Sequence, residues 1–229
     1  MEPAGLSRVE RRLAAILAAD VAGYSRLIEA DEEGTLNRLK ALRAKVIDPI
    51  IAYHHGRIVK TTGDGMLVEF ASVVDAVRCA AEVQAAVAED NAPVPPARRI
   101  EFRIGINVGD IVVEDGDIFG NGVNVAARLE ALAQPGGICV SRVVYDQVRD
   151  QLDFAFEDRG DHQVKNIARP VRVYTLTPEA RGRSSTPLAR PVSQSAGAPR
   201  LSIVVLPFAN LSNDPEQQYF TDGITEDLR

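Results

Sequence analysis

The stretch from Asp117 to Arg128, DIFGNGVNVAAR, constrains this chain more than any other. Asp117 reads as the exit of a hairpin, Gly120 and Gly122 punctuate a turn, and a helix opens after them. Asn124 and Arg128 stand at i and i+4, so they project from one face of that helix. An amide able to hydrogen-bond a sugar is thus set beside a guanidinium able to clamp a phosphate. Taken alone, the same stretch is equally a capped surface helix with two exposed polar residues.

The rest of the chain supplies a scaffold for such a helix. Residues 1–12 are polar and charged and read as a leader. Leu13 to Val21 is a buried-strand pattern ending in Asp20, an acid that could equally cap a helix or sit in a turn. Leu36, Leu39, Leu42, Val46, Ile50 and Tyr53 recur at helical spacing over 31–55, with Pro49 as a kink or local irregularity and Gly56 as the closing residue. Arg57 to Phe70 reads as a hairpin turning at Gly63-Asp64-Gly65. The turn chemistry alone can account for Asp64, and Lys60 can be a plain solvated strand residue.

Ser72 with Asp75 resembles a capping box ahead of a helix whose apolar face is Val73, Ala76, Val77, Ala80, Val83 and Val87. After the loop APVPPA (92–97), residues 100–113 read as two strands with a turn near Gly109-Asp110. A short hairpin tip follows at Asp115-Gly116, then the 121–133 helix, a break at PGG (135–137) and a strand over 138–140. Ser141 can cap a helix to about Val148, and 154–159 and 171–176 finish as strands. Strand–helix–strand–strand–helix–strand with C-terminal additions is a ferredoxin-like α/β (α+β) βαββαβ core, with the helices expected on one face of an antiparallel or mixed sheet. Residues 178–200, rich in Pro, Ser, Arg, Ala and Gly, read as a flexible linker, and a new strand signal begins at Ser202.

Composition narrows the partners. A net charge of −6 argues against a nucleic-acid partner and leaves no basic run for a membrane surface. The same charge means that an anionic ligand must be drawn in by local cations or bound metal. The apolar run Leu13–Ala19 is too short to span a bilayer, and the expected setting is cytoplasmic. Cys79 and Cys139 are expected to be buried free thiols, and His54, His55 and His162 are given no metal or catalytic role.

Five blocks, LAADVAGYSRL (17–27), KTTGDGMLVEF (60–70), RIGINVGDIVV (103–113), DIFGNGVNVAAR (117–128) and VKNIARPVRVYTL (164–176), stand in the order of the class III nucleotidyl cyclases, which the chain resembles over 13–177. The segment from residue 201 to 229 resembles the opening of a TolB-like domain, and is expected to be a truncated, poorly ordered second domain because some 30 residues cannot bury a core alone.

The resemblance implies an adenylate cyclase that makes cyclic AMP and pyrophosphate from ATP with two divalent cations, Mg²⁺ or Mn²⁺. It places the metal on the carboxylates of Asp20 and Asp64 and the carbonyl of Val21. The backbone amides of Ala22, Gly23 and Tyr24, and the Lys165 side chain, are implied to meet phosphate. Lys60 and Asp117 match the adenine-selecting pair: a Lys donor suits adenine N1 and a carboxylate suits its N6 amino group, whereas guanine mismatches both. Asn124 matches the ribose-positioning residue, and Arg128 the one that meets charge developing in the transition state. The family assembles each site from opposite chains, so a homodimer with two shared sites is implied. A guanylate cyclase is disfavoured by Lys60 and Asp117. A silent dimerisation or nucleotide-sensing module is disfavoured because all six principal positions hold competent residue types.

Overall fold

The computed structural model describes residues 10–163, 167 and 169–180. The chain divides into two units, 1–184 and 185–229, and the described residues all lie in the first. The linker and TolB-like readings fall almost wholly outside the described residues.

One mixed sheet organises the first unit. Its strands are β1 (Glu10–Val21), β2 (Arg57–Thr62), β3 (Gly65–Phe70), β4 (Phe102–Glu114), β5 (Asp117–Phe119), β6 (Ile138–Ser141), β7 (Phe154–His162) and β8 (Val171–Ala180). They lie in the order β2-β3-β1-β4-β6-β8-β7, with β5 paired to β4. All pairings are antiparallel except β4 with β6. The ferredoxin-like core is therefore present, lengthened by the β7–β8 hairpin.

The helices are α1 (Tyr24–Ala30), α2 (Glu32–Leu42), α3 (Asp48–Tyr53), α4 (Val73–Asn91), α5 (Asn121–Leu132) and α6 (Arg142–Val148). A π-helical turn, Arg43–Ile47, joins α2 to α3 just before Pro49, where a residue without an N–H and with a bulky ring cannot continue a regular ladder. His55, at φ 59, takes the left-handed position past α3. Gly56 is required for space, since a Cβ there would lie 2.6 Å from the Phe70 ring. Ser72 and Ser141 cap α4 and α6 by accepting from the N–H groups of Asp75 and Val144.

Two sequence expectations change. The sheet is covered on both faces. Ala15, Leu17, Ala19 and Val21 of β1 join the core with α2, α3, α4 and α6, whereas Ala14, Ile16 and Ala18 pack with Ala126 of α5. The helices therefore do not all lie on one face: α5 takes the other. The second change is that 102–114 is a single strand, paired with β1 without interruption. Gly109 marks no turn. A Cβ at Gly109 would stand 3.0 Å from the Gly122 Cα, and one at Gly105 would stand 2.2 Å from the Ala126 carbonyl. These glycines let α5 lie against the strand.

Among the described residues, no helix is long and apolar enough to cross a membrane. Cys79 and Cys139 are buried free thiols, as expected, and burial pushes the Cys79 thiol up to about 12. His54 ties the end of α3 to α4 through a 2.7 Å contact with Glu82.

Candidate functional site

Asp20 and Lys60 stand on the sheet face that α5 covers, and Asp64 and Asp117 stand at hairpin turns. On β1, Asp20 continues the row of Ala14, Ile16 and Ala18 and pairs across the ladder with Arg103 of β4. Asp64 occupies the two-residue β2–β3 turn with Gly63, whose φ of 63 suits the first central position. The β1–β3 ladder pairs Ala19 with Met66 and so sets Asp20 beside this turn, where a protonated Asp64 carboxyl donates to Asp20. Burial first, and then that contact with a second acid, raise the Asp64 carboxyl to about 6. A Cβ at Gly65 would stand 3.0 Å from Thr62 Oγ1, whereas Asp20 Oδ1, at 3.7 Å, would be in ordinary contact.

Sequence reasoning missed two charged residues here. Arg103 Nη2 donates to Asp20 Oδ2 at 2.9 Å, and its Nε lies 3.1 Å from Glu130 Oε1 of α5. That second approach forms no hydrogen bond, and both atoms are buried. Burial raises the Glu130 carboxyl to about 7, with Asp20 and Asp64 adding to the rise and Arg103 opposing it. The signal that could have found Arg103 is its charge at the head of the apolar run RIGIN.

A second cluster lies at the β4–β5 hairpin. Lys60 Nζ donates to Asp117 Oδ2 at 2.7 Å and lies 5.5 Å from the centre of the Phe119 ring. The Ile118 N–H donates to Asp117 Oδ1 at 2.7 Å. The Lys60 contact, above all, holds the Asp117 carboxyl below the usual carboxylate range. The two residues named as a base-selecting pair thus meet as an ion pair.

Asn124 is exposed and Arg128 half-buried on α5, whose inward side is Gly122, Val125, Ala126 and Leu129. Among the described residues neither side chain forms a hydrogen bond or ion pair, and Glu130 is the α5 residue that reaches the Asp20–Asp64 corner. The phosphate-cradle expectation needs one correction. The Ala22 N–H is already donated to the Glu101 carbonyl at 2.8 Å, because the β1–β4 pairing runs one residue past the strand end. Gly23, at φ 66, and Tyr24 begin α1 beside it. Lys165 lies outside the described residues.

The two carboxylates and the raised Asp64 carboxyl fit a divalent cation, which would relieve the crowding of like charge. Arg103 adds a cation beside that corner, and α5 presents an amide and a guanidinium outward.

Comparison with known proteins gives a consistent result. The family description "Adenylate and Guanylate cyclase catalytic domain" matches residues 9–178. A putative adenylate cyclase 3 from Rhizobium meliloti is 53% identical over 221 residues, which is 96% of this chain and 37% of that protein. The chain thus spans little more than a third of that relative. The crystal structure of an adenylate/guanylate cyclase/hydrolase from Silicibacter pomeroyi is 55% identical with a TM-score of 0.72, covering 75% of this chain and all of that one. The crystal structure of the guanylyl cyclase Cya2 is 26% identical with a TM-score of 0.65, covering 73% of this chain and 93% of its own.

Proposed function

The chain belongs to the adenylate and guanylate cyclase catalytic-domain family, and on that premise we propose that it converts ATP into 3′,5′-cyclic AMP and pyrophosphate as a homodimer with shared sites. The observation that carries the reading is the meeting of Asp20 with Asp64, which gathers two carboxylates where like charge is unfavourable without a cation. The family generally uses divalent metal ions. Asp20, Asp64 and the Val21 carbonyl would hold two of them, which would lower the barrier to ionising the ribose hydroxyl and balance charge on the leaving pyrophosphate.

The protein's own groups divide the remaining work. The Gly23 and Tyr24 amides and the Arg103 guanidinium would receive the phosphates beside the carboxylate corner. Lys60 would donate to adenine N1 while Asp117 accepts from the N6 amino group, so the base is read by one donor and one acceptor already aligned. Asn124 would orient the ribose so that its 3′-oxygen faces the α-phosphorus. The new O–P bond forms as the bond to pyrophosphate breaks, and Arg128 meets the charge that builds on the phosphoryl oxygens. Among the described residues the Asn124 and Arg128 side chains make no hydrogen bond or ion pair within their own chain, with Asn124 exposed, which supports completion of each site by a second chain.

The test is conversion of ATP and, separately, GTP by the purified chain with Mg²⁺ or Mn²⁺, over a range of protein concentrations. Cyclic AMP is expected from ATP, with specific activity rising as the protein is concentrated. A folded, dimeric chain that makes no product from either nucleotide would instead be a silent nucleotide-sensing module.

A further inference from the structure

Glu69 is a buried carboxylate inside the apolar strand β3, with its side chain 8% exposed. A buried charge is costly unless it is fully paired, and Glu69 is paired twice. Its Oε1 forms an ion pair with Arg12 Nη2 of β1 at 2.7 Å, and its Oε2 accepts from Arg57 of β2 at 2.6 and 3.1 Å. Arg57 has one guanidinium nitrogen left over. That Nη1 reaches across to the Gly116 carbonyl at 2.9 Å.

Gly116 forms, with Asp115, the tip of the β4–β5 hairpin, and both have left-handed φ values, 82 and 50. The next residue is Asp117. A β-bulge in β2 sets Val59 and Lys60 together against Leu67, with Ile58 opposite Val68 and Arg57 opposite Glu69. Without that extra residue Arg57 and Lys60 would point to opposite faces. With it, the same strand holds the hairpin twice: Arg57 by the backbone at its tip, and Lys60 by the Asp117 side chain.

We propose that Arg57, locked on the buried Glu69, is a positioning residue for nucleotide choice: by gripping the Gly116 carbonyl it sets where Asp117 stands relative to Lys60. The inference rests on the adenylate cyclase reading of that same site and gives it a support that neither base-reading residue provides. The hairpin is short, and among the described residues the Arg57 contact is the side-chain bond that reaches its tip. The aligned donor and acceptor that adenine needs therefore depend on an anchor outside the pair. ATP loses more than GTP when the anchor goes, because at C6 adenine offers Asp117 an amino group where guanine has a carbonyl.

The experiment compares Arg57→Met, Arg57→Lys and Glu69→Gln with the unaltered chain in kcat/KM for ATP and for GTP. Thermal midpoints are recorded, and so is deuterium uptake of the 114–119 peptide. Arg57→Met is expected to lower kcat/KM for ATP by about tenfold, the scale of one misplaced charge-assisted hydrogen bond, with that for GTP little changed. Uptake at the hairpin should quicken, Arg57→Lys should recover part of the selectivity, and Glu69→Gln should fall between. Arg12 still pairs Glu69 when Arg57 is lost, and the Lys and Gln variants carry the test if the Met variant does not fold. A folded variant whose ATP-to-GTP ratio is unchanged overturns the proposal, even if both activities fall together. If the unaltered chain turns over neither nucleotide, the cyclase reading fails separately. Hairpin exchange then decides the grip by itself: faster uptake supports it and unchanged uptake overturns it.

Discussion

The two charged clusters beside the sheet are built on opposite principles. At the strand end, Asp20, Asp64 and Glu130 crowd three carboxyl groups around one guanidinium, and two of them, Asp64 and Glu130, are pushed up to about 6 and about 7. At the hairpin, Asp117 has Lys60 and Glu69 has two arginines, and the Asp117 carboxyl is pulled down. The first cluster is deficient in positive charge and gains from a cation. The second is balanced and already shaped. On the proposed reading, the under-compensated cluster would carry the chemistry and the balanced one the recognition of the base.

The contrast breaks most visibly through turnover. Asp20→Ala is expected to abolish cyclic AMP formation, by about a thousandfold or more, since it removes a proposed ligand from both sites of a homodimer. Mixing Asp20→Ala chains with Arg128→Ala chains should restore activity, because one site of each heterodimer then keeps all its groups. Heterodimers that form and stay inactive would show that each site is made within one chain.

A smaller effect tests the balanced cluster. Asp117→Asn leaves Lys60 without its counter-charge and offers guanine a donor, so the ATP-to-GTP ratio of kcat/KM should fall by about ten- to a hundredfold, the size of one mismatched hydrogen-bonding group. Initial rates with each nucleotide measure this, and an unchanged ratio would place base selection elsewhere.

The smallest effect is on stability and has opposite signs in the two clusters. Asp64 and Glu130 have raised carboxyls, so the folded state holds their protons more tightly than the unfolded state does. Their contribution is full below the ordinary carboxylate range and is lost as pH rises through about 6 and about 7. Metal-free protein should therefore lose thermal stability between pH 5 and pH 8. Asp64→Asn should raise the midpoint at pH 7.5 by about 3 °C, which is what about 1 kcal/mol is worth in a domain of this size. Asp117 is lowered, so its contribution is present above the ordinary carboxylate range and disappears as pH falls through its folded value. A melting series over pH, with and without Mg²⁺, reads both; a midpoint that Asp64→Asn lowers at pH 7.5 would contradict the crowding.

Local patterns in the chain already announced most of the elements. Ser72 and Ser141 as caps, Gly63-Asp64 and Asp115-Gly116 as turns and Pro49 as an irregularity depend on residues within one turn of each other, and each stands as expected. The motif blocks also named Asp20, Asp64, Lys60 and Asp117, which the fold brings together in two pairs. The run 100–113 misled because Gly109-Asp110 has turn chemistry. Its glycine instead answers to α5, a helix that follows it in the chain and lies across the strand.

What the sequence by itself determined was most of the elements, which follow from short-range periodicity and spacing, and, through the resemblance of its five motif blocks, the family and the residue types able to do the chemistry. Only the tertiary structure decided which face α5 covers, that Ala22 spends its amide on Glu101, and that Arg103 and Glu130 join the carboxylates. It also decided that a bulge at Val59 aligns Arg57 with Lys60 beneath the hairpin. Register, bulges and the pairing of buried charges are set by contacts between segments far apart in the chain, and no local pattern of residues encodes them.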